Sequence, residues 1–224
     1  DLIHKENRNL VLYYHNNPLD MKKSKSIIER RNVLSKTIKI IFNSKWTMKQ
    51  FIKGLNKKDY LNKLLVINQS TNKKKVNLKK KEKIILFVGR LNKSKGYDIF
   101  GKAVTNVLNE FSNWKAFVIG DEPREKIYFT HKRLKILGFQ KYNVVSNYLQ
   151  KCAISVVCSR WNEPFGRTSL EGSANACAVI ISNRGGLPET VTNAIILKNL
   201  NKEELKNKIE SLILNKKLRY QYQK

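Results

Sequence analysis

Two carboxylates, Glu163 and Glu171, stand with seven residues between them, Pro164-Phe165-Gly166-Arg167-Thr168-Ser169-Leu170. The types and the spacing point to a particular chemistry. Pro164 stiffens a loop, and Gly166 lacks a Cβ and lets the backbone approach a ligand closely. A helix expected from Arg167 to about Ala174 would present free N–H groups, and the positive end of its dipole, to phosphate oxygens. Glu171, about a turn into that helix, could accept hydrogen bonds from the vicinal hydroxyls of a ribose. Glu163, on the loop, could do the same for a sugar. Two carboxylates beside an anion site make little sense for phosphate alone. They suit a molecule with phosphates in the middle and hydroxyls at both ends. Taken singly, each acid has a plainer reading, Glu163 as a solvated loop residue and Glu171 as a surface helix residue. With only 17 Asp and Glu in 224 residues, the pairing still carries information.

The elements that must position these residues fall into two blocks joined by a polar stretch. In the first, Leu10–Tyr14 reads as a strand ending at His15-Asn16-Asn17-Pro18. Ser24–Ser35 reads as a helix and Thr37–Phe42 as a strand. Ser44 is a good N-cap for a helix through Trp46, Met48, Phe51 and Ile52 that Gly54 would close, and Leu64–Ile67 is a further strand. Asn68–Glu82 shows no apolar periodicity and reads as a linker. The second block alternates strand and helix: strands at Ile84–Val88, Trp114–Ile119, Leu134–Leu137, Ala153–Val157, Ala178–Ser182 and Ala194–Leu197. Helical spacing marks Tyr97–Phe111, Glu122–Lys132, Val144–Gln150, Arg167–Ala174, a segment after Gly185-Gly186-Leu187-Pro188, and Lys202–Leu214. Nearly all-apolar strands separated by single helices imply an α/β fold with a parallel sheet buried on both faces. Ligands of such sheets sit at the carboxyl ends of the strands, which directs attention to Gly89-Arg90, Gly120-Asp121, Gly138-Phe139, Ser159–Gly166 and Asn183–Gly186. Trp46, Phe51, Phe100, Phe111 and Trp114 read as core, and His4 and His131 carry no functional expectation.

The net charge of +28 (45 basic against 17 acidic residues) is extreme. A nucleic-acid or anionic-membrane partner would explain it, and so would compositional drift toward Lys, Asn and Ile. The lysines are spread along the whole chain, which favours drift, while a pull toward a negatively charged membrane surface fits either account. Cys152, Cys158 and Cys177 form no CxxC pair, and their odd number argues against a disulfide framework. They are expected to be small buried thiols in a reducing compartment. No window has the roughly 18 to 20 apolar residues of a spanning helix, and residues 1–9 do not read as a signal peptide. The chain begins with Asp and its first Met is Met21, so it is expected to be a piece of a longer protein.

Glu163–Glu171 resembles the E-x7-E motif of retaining GT-B glycosyltransferases in family 4, the large "glycosyl transferases group 1" family that includes bacterial lipopolysaccharide and mannosyl transferases. Phe87-Val88-Gly89-Arg90-Leu91, followed by Lys95-Gly96, resembles the first strand and phosphate-binding loop of that family's second domain. Gly185-Gly186-Leu187-Pro188-Glu189 resembles its GG-x-P-E turn. The three occur in the family's order, with the likeness strongest over residues 83–215 and weaker over 10–67.

The resemblance implies a GT-B type fold: residues 1–67 as the tail of an N-terminal acceptor-side domain, 68–82 as linker, and 83–224 as a Rossmann-like donor domain. It implies a nucleotide-sugar donor, a glycan or lipid-linked acceptor, and a cytoplasmic enzyme with peripheral contact to the inner membrane face. Arg90 and Lys95 would neutralise the donor diphosphate, with Gly89 also among the donor-binding residues. Glu171 would hold the ribose, with Arg167 and Thr168 at the helix start. Glu163, with the Phe165 and Gly166 amides, would hold the transferred sugar. Gly138 and Phe139 would border the base, and His15 lies where the family places a cleft-facing histidine. No metal or other cofactor is expected, in keeping with the lack of a DxD motif, and no nucleic acid. Two rival classes are a basic nucleic-acid-associated α/β protein and a non-catalytic sugar-nucleotide-binding remnant.

Overall fold

The computed structural model describes residues 10–73 and 75–224; His4, the rest of residues 1–9 and Lys74 lie outside the described residues. Two compact units result. The first ends at Gln69 and takes in Glu163–Phe165; the second comprises Ser70–Asn162 and Gly166–Lys224.

In the first unit, β1 (Val11–Tyr14), β2 (Lys39–Phe42) and β3 (Leu64–Val66) form a parallel sheet in that order. Between them lie α1 (Ile27–Lys36), α2 (Lys45–Ile52) and α3 (Lys57–Tyr60). Tyr14, Val33, Leu34, Ile40, Phe42 and Phe51 make the core, with Tyr14 stacked on Phe42 at 5.5 Å. Helix α1 starts later than Ser24, because Ser24 is buried in the preceding loop and its hydroxyl donates to the Pro18 carbonyl at 2.7 Å. Ser26 caps the helix instead, in a reciprocal capping box with Glu29. Ser44 caps α2 as its sequence position suggests, accepting from the Thr47 N–H at 3.0 Å. The Ser44 and Thr47 hydroxyls also donate to the Pro164 carbonyl, at 2.6 and 3.0 Å. These bonds draw Glu163–Phe165, expected with the second block, into the first unit.

The second unit contains β4 (Glu82–Val88), α4 (Tyr97–Glu110), β5 (Lys115–Ile119), β6 (Leu134–Ile136), α5 (Tyr142–Lys151) and β7 (Cys152–Val157). It continues with α6 (Arg167–Ala174), β8 (Ala178–Ser182), β9 (Ile195–Leu197), α7 (Lys202–Leu214) and α8 (Lys216–Tyr222). Its six strands are all parallel, in the order β6-β5-β4-β7-β8-β9. Both faces are buried. Ile85 and Phe87 of β4 point to a core with Phe100, Val104, Leu108, Leu205 and Ile209, while Ile84 and Leu86 point to another with Leu149, Val179 and Ile181. This is the doubly wound arrangement, whose strand order reverses between β4 and β7 and opens a crevice beyond their carboxyl ends.

Several elements differ from the sequence expectation. Glu122–Lys132 is irregular rather than helical: the Glu122 carboxylate turns back on Arg124, and Phe129 packs edge-on against Tyr97 at 5.6 Å. Burial of Phe129 wins over local helical preference. The segment after Gly186 is a single 3-10 turn, Leu187–Glu189. The cysteines are buried as expected, and burial pushes the Cys158 thiol up to about 12. No described helix is long and apolar enough to cross a membrane.

Candidate functional site

The glycine turns after β4, β5 and β6 lie in one row. The Gly89 N–H donates to the Ile119 carbonyl at 3.0 Å, and the Gly120 N–H to the Gly138 carbonyl at 2.8 Å. Beyond Gly89 and the exposed Arg90, Asn92 organises the loop. Its side-chain oxygen accepts from the Lys95 N–H and the Ser94 hydroxyl, each at 3.0 Å, and its amide donates to Glu122 at 3.0 Å. Gly96 then starts α4 at φ +74°, where a Cβ would stand 1.9 Å from the Cys158 carbonyl oxygen. Only glycine lets the start of α4 come this close to the end of β7.

The loop after β7 is joined to this one. The Ser94 carbonyl accepts from the Arg160 N–H (2.8 Å), the Trp161 N–H (3.0 Å) and the Ser159 hydroxyl (3.1 Å). Arg160 forks onto Asp98 at 2.5 and 2.8 Å and donates to the Lys93 carbonyl at 2.7 Å. The Lys95 ammonium lies 4.7 Å from the centre of the Trp161 ring. Burial pushes the Asp98 carboxyl up, but the hydrogen bonds and charge of Arg160 prevail and hold it below the usual range. The hydrogen bond from Arg124 holds the Glu122 carboxyl down to about 2. Loops on the two sides of the switch point therefore form one hydrogen-bonded structure.

Helix α6 begins at Gly166 (φ +116°), where a Cβ would sit 2.4 Å from Leu187 Cδ2, and no side chain caps its N-terminus. The Ser169 hydroxyl bonds the Gly166 carbonyl and the Thr190 hydroxyl, both at 2.7 Å, and so ties α6 to the turn Gly185–Glu189. Ser182, ending β8, donates to the Ser159 carbonyl at 2.6 Å. Glu171 is 8% exposed and pairs with Arg167 at 3.2 Å; Glu163, in the first unit, is also 8% exposed. The solvated readings of both acids therefore fail. A carboxylate this deep requires strong partners, because losing hydration costs several kcal/mol.

Of the residues singled out from the sequence, Gly89, Arg90, Lys95, Gly138, Gly166, Arg167, Thr168 and Glu171 stand at the carboxyl end of the second unit's sheet. Phe139 follows Gly138 and is 75% exposed. Phe165 is buried beside Glu163 in the first unit, and His15 lies exposed at the end of β1, its Nδ1 3.0 Å from Gln69 Nε2. Sequence reasoning passed over Asn92, Ser94 and Asp98, and it gave no individual role to Ser182 or to Arg160 and Trp161 within the loop Ser159–Gly166. Asn92 carries a legible signal, an Asn able to cap the 3-10 turn Lys93–Lys95.

A family model described as "Glycosyl transferases group 1" matches residues 68–224. The chain belongs to this family. Among relatives of this group 1 chain, the uncharacterized glycosyltransferase MJ1178 of Methanocaldococcus jannaschii is 31% identical over 190 residues, covering 81% of the chain and 51% of the relative. A lipopolysaccharide core biosynthesis mannosyltransferase, LpcC of Rhizobium leguminosarum bv. viciae, is 29% identical over 113 residues, covering 46% of the chain and 32% of the relative. The chain thus spans about half the length of MJ1178. The fold is that of Anabaena Alr3699/HepE, crystallised with UDP-glucose: TM-score 0.75 at 20% identity, over 96% of this chain and 65% of that one. The C-terminal domain of a group 1 glycosyl transferase (LpcC) from Francisella tularensis gives a TM-score of 0.56 at 26% identity, over 65% of this chain and 83% of that one.

Proposed function

We propose that this chain is the donor-handling part of a retaining GT-B glycosyltransferase of family 4, moving a hexosyl group from a nucleotide sugar to a glycan or lipid-linked acceptor. The observation that carries the reading is Glu171, buried in the first turns of an uncapped helix beside the switch point of a doubly wound sheet. The N–H groups of Arg167 and Thr168 would receive donor phosphate oxygens, and Glu171 the ribose hydroxyls. Its ion pair with Arg167, whose side chain is largely exposed, leaves the second carboxylate oxygen for that task. Glu163, with the Phe165 and Gly166 amides, would hold the sugar. Gly138 and Phe139 would border the base, and His15 would face the acceptor.

Arg90 and Lys95 would stabilise the charge that develops on the leaving nucleoside diphosphate, so no metal enters the proposal. The bond from the sugar C1 to the phosphate oxygen breaks, and the acceptor oxygen bonds C1 on the same face. The acceptor proton passes to a donor phosphate oxygen. Both glutamates bind rather than react, unlike the carboxylate pair of a glycoside hydrolase. A relative named for lipopolysaccharide core biosynthesis supports an acceptor in the cell envelope, with the protein in the cytoplasm and peripheral on the inner membrane face.

Titration calorimetry with uridine, guanosine, adenosine, cytidine and thymidine diphosphate sugars tests the site. At least one should bind, and Glu171→Ala should abolish that binding with the far-ultraviolet circular dichroism unchanged. No binding across the panel, or Glu171→Ala at wild-type affinity, would remove the pocket assignment. Transfer assays on the complete gene product, with the anomeric configuration of the product read by NMR, test retention and separate an enzyme from a binding-only remnant.

A further inference from the structure

We infer that Trp161 is a positioning residue that holds Lys95 over the donor diphosphate; the inference rests on the donor-site reading above. Trp161 is 39% exposed and belongs to none of the hydrophobic cores, so packing does not account for a large aromatic at this place. Its ring lies 4.7 Å from the Lys95 ammonium, within the range of a cation–π contact. Both residues are fixed by their backbones: Lys95 N–H to the Asn92 side chain at 3.0 Å, Trp161 N–H to the Ser94 carbonyl at 3.0 Å. Arg160, between the two loops, bonds the Lys93 carbonyl and Asp98.

A lysine side chain surrounded by water is a flexible cation, and ordering it on ligand binding costs rotamer entropy. The fixed indole face removes part of that freedom beforehand. An incoming diphosphate, with full negative charge, is the stronger partner and takes the ammonium a short distance from the ring. Preorganisation of this kind raises affinity without any contact between Trp161 and the donor.

A double-mutant cycle in the full chain decides the matter, read by calorimetry with whichever nucleotide sugar of the panel binds best. Trp161→Ala should weaken binding about fivefold, and Trp161→Phe, which keeps an aromatic face, about twofold or less. Lys95→Met should weaken it further, and adding Trp161→Ala to Lys95→Met should change nothing more. An equal loss from Trp161→Ala with and without Lys95 would mean that the ring touches the donor itself, and would overturn the inference. So would a Trp161→Ala chain of wild-type affinity, or Trp161→Phe as weak as Trp161→Ala. Should Trp161→Ala disturb the circular dichroism, Trp161→Leu takes its place in the cycle. The donor-site reading fails differently: wild type binds no panel member, or Lys95→Met binds as wild type does.

Discussion

Glu163 and Glu171 stand out in the sequence because acids are scarce and because Pro164 and Gly166 mark the loop between them. Their burial was not legible, since the loop between them is held by residues far away in sequence, the Pro164 carbonyl by Ser44 and Thr47, and Gly166 packed against Leu187. Arg160 and Trp161 lie inside the loop Ser159–Gly166 that the strand-end rule marks, but, as with Asp98, nothing in the sequence singles them out. Arginine is unremarkable in so basic a chain, and an isolated tryptophan reads first as core. The glycines show the same gap between residue type and environment. Gly96 and Gly138 have similar angles, φ +74° and +66°, yet a Cβ at Gly96 meets the Cys158 carbonyl at 1.9 Å and one at Gly138 meets nothing within 4 Å. Gly138→Ala should therefore cost only the left-handed backbone penalty, about 1 kcal/mol. Gly96→Ala adds overpacking and should cost ~3 kcal/mol. Urea unfolding of the two variants checks the difference; equal losses would show that the α4–β7 approach is not tight.

Among elements, those with long apolar periodicity read correctly from sequence, as at α4 and α7, and the strands Ala178–Ser182 and Ile84–Val88 needed only their apolar runs. Two short helices did not. Helix α3 has four residues and α8 seven, too few for a periodic pattern, and each owes its start to an Asn, Asn56 and Asn215, whose capping is seen only in three dimensions. The ion pair that joins the start of α4 to the loop after β7 makes an element-scale prediction. Asp98 titrates below the ordinary carboxyl range in the folded chain and near 4 when unfolded. Its stabilisation is thus complete above about pH 4 and is lost as pH falls through the folded value. Glu122 acts in the same sense, from the ordinary Glu value down to about 2. At pH 7, Asp98→Asn should lower stability by about 1 kcal/mol. The gap between variant and wild type should close as the pH drops below about 4. Denaturant midpoints measured from pH 7 to pH 3 test this, and a gap that stays constant would mean that the Arg160 fork contributes no charge-dependent stability.

At the scale of the whole molecule the governing quantity is the +28 net charge. No element concentrates it: lysines occur from Lys5 to Lys224, including the helices of both units and the segment between Ser70 and Lys81. A diffuse cation of this size attracts any polyanion, and the attraction is screened beyond roughly 8 Å at physiological salt. Only the lysines that face a surface contribute, each about 1 kcal/mol beside an anionic bilayer. Attachment to a membrane should then be real but reversible. Vesicles with about one third phosphatidylglycerol should sediment the chain at 50 mM salt and release most of it at 500 mM, and pure phosphatidylcholine vesicles should not bind it. Donor affinity should be the same with and without vesicles, because the two proposed sugar-binding carboxylates, Glu163 and Glu171, are buried. A nucleic-acid protein behaves otherwise: it would bind duplex DNA below micromolar affinity at 150 mM salt, with a steep salt slope and in preference to the vesicles. That outcome would give the charge a specific partner and remove the membrane from the account.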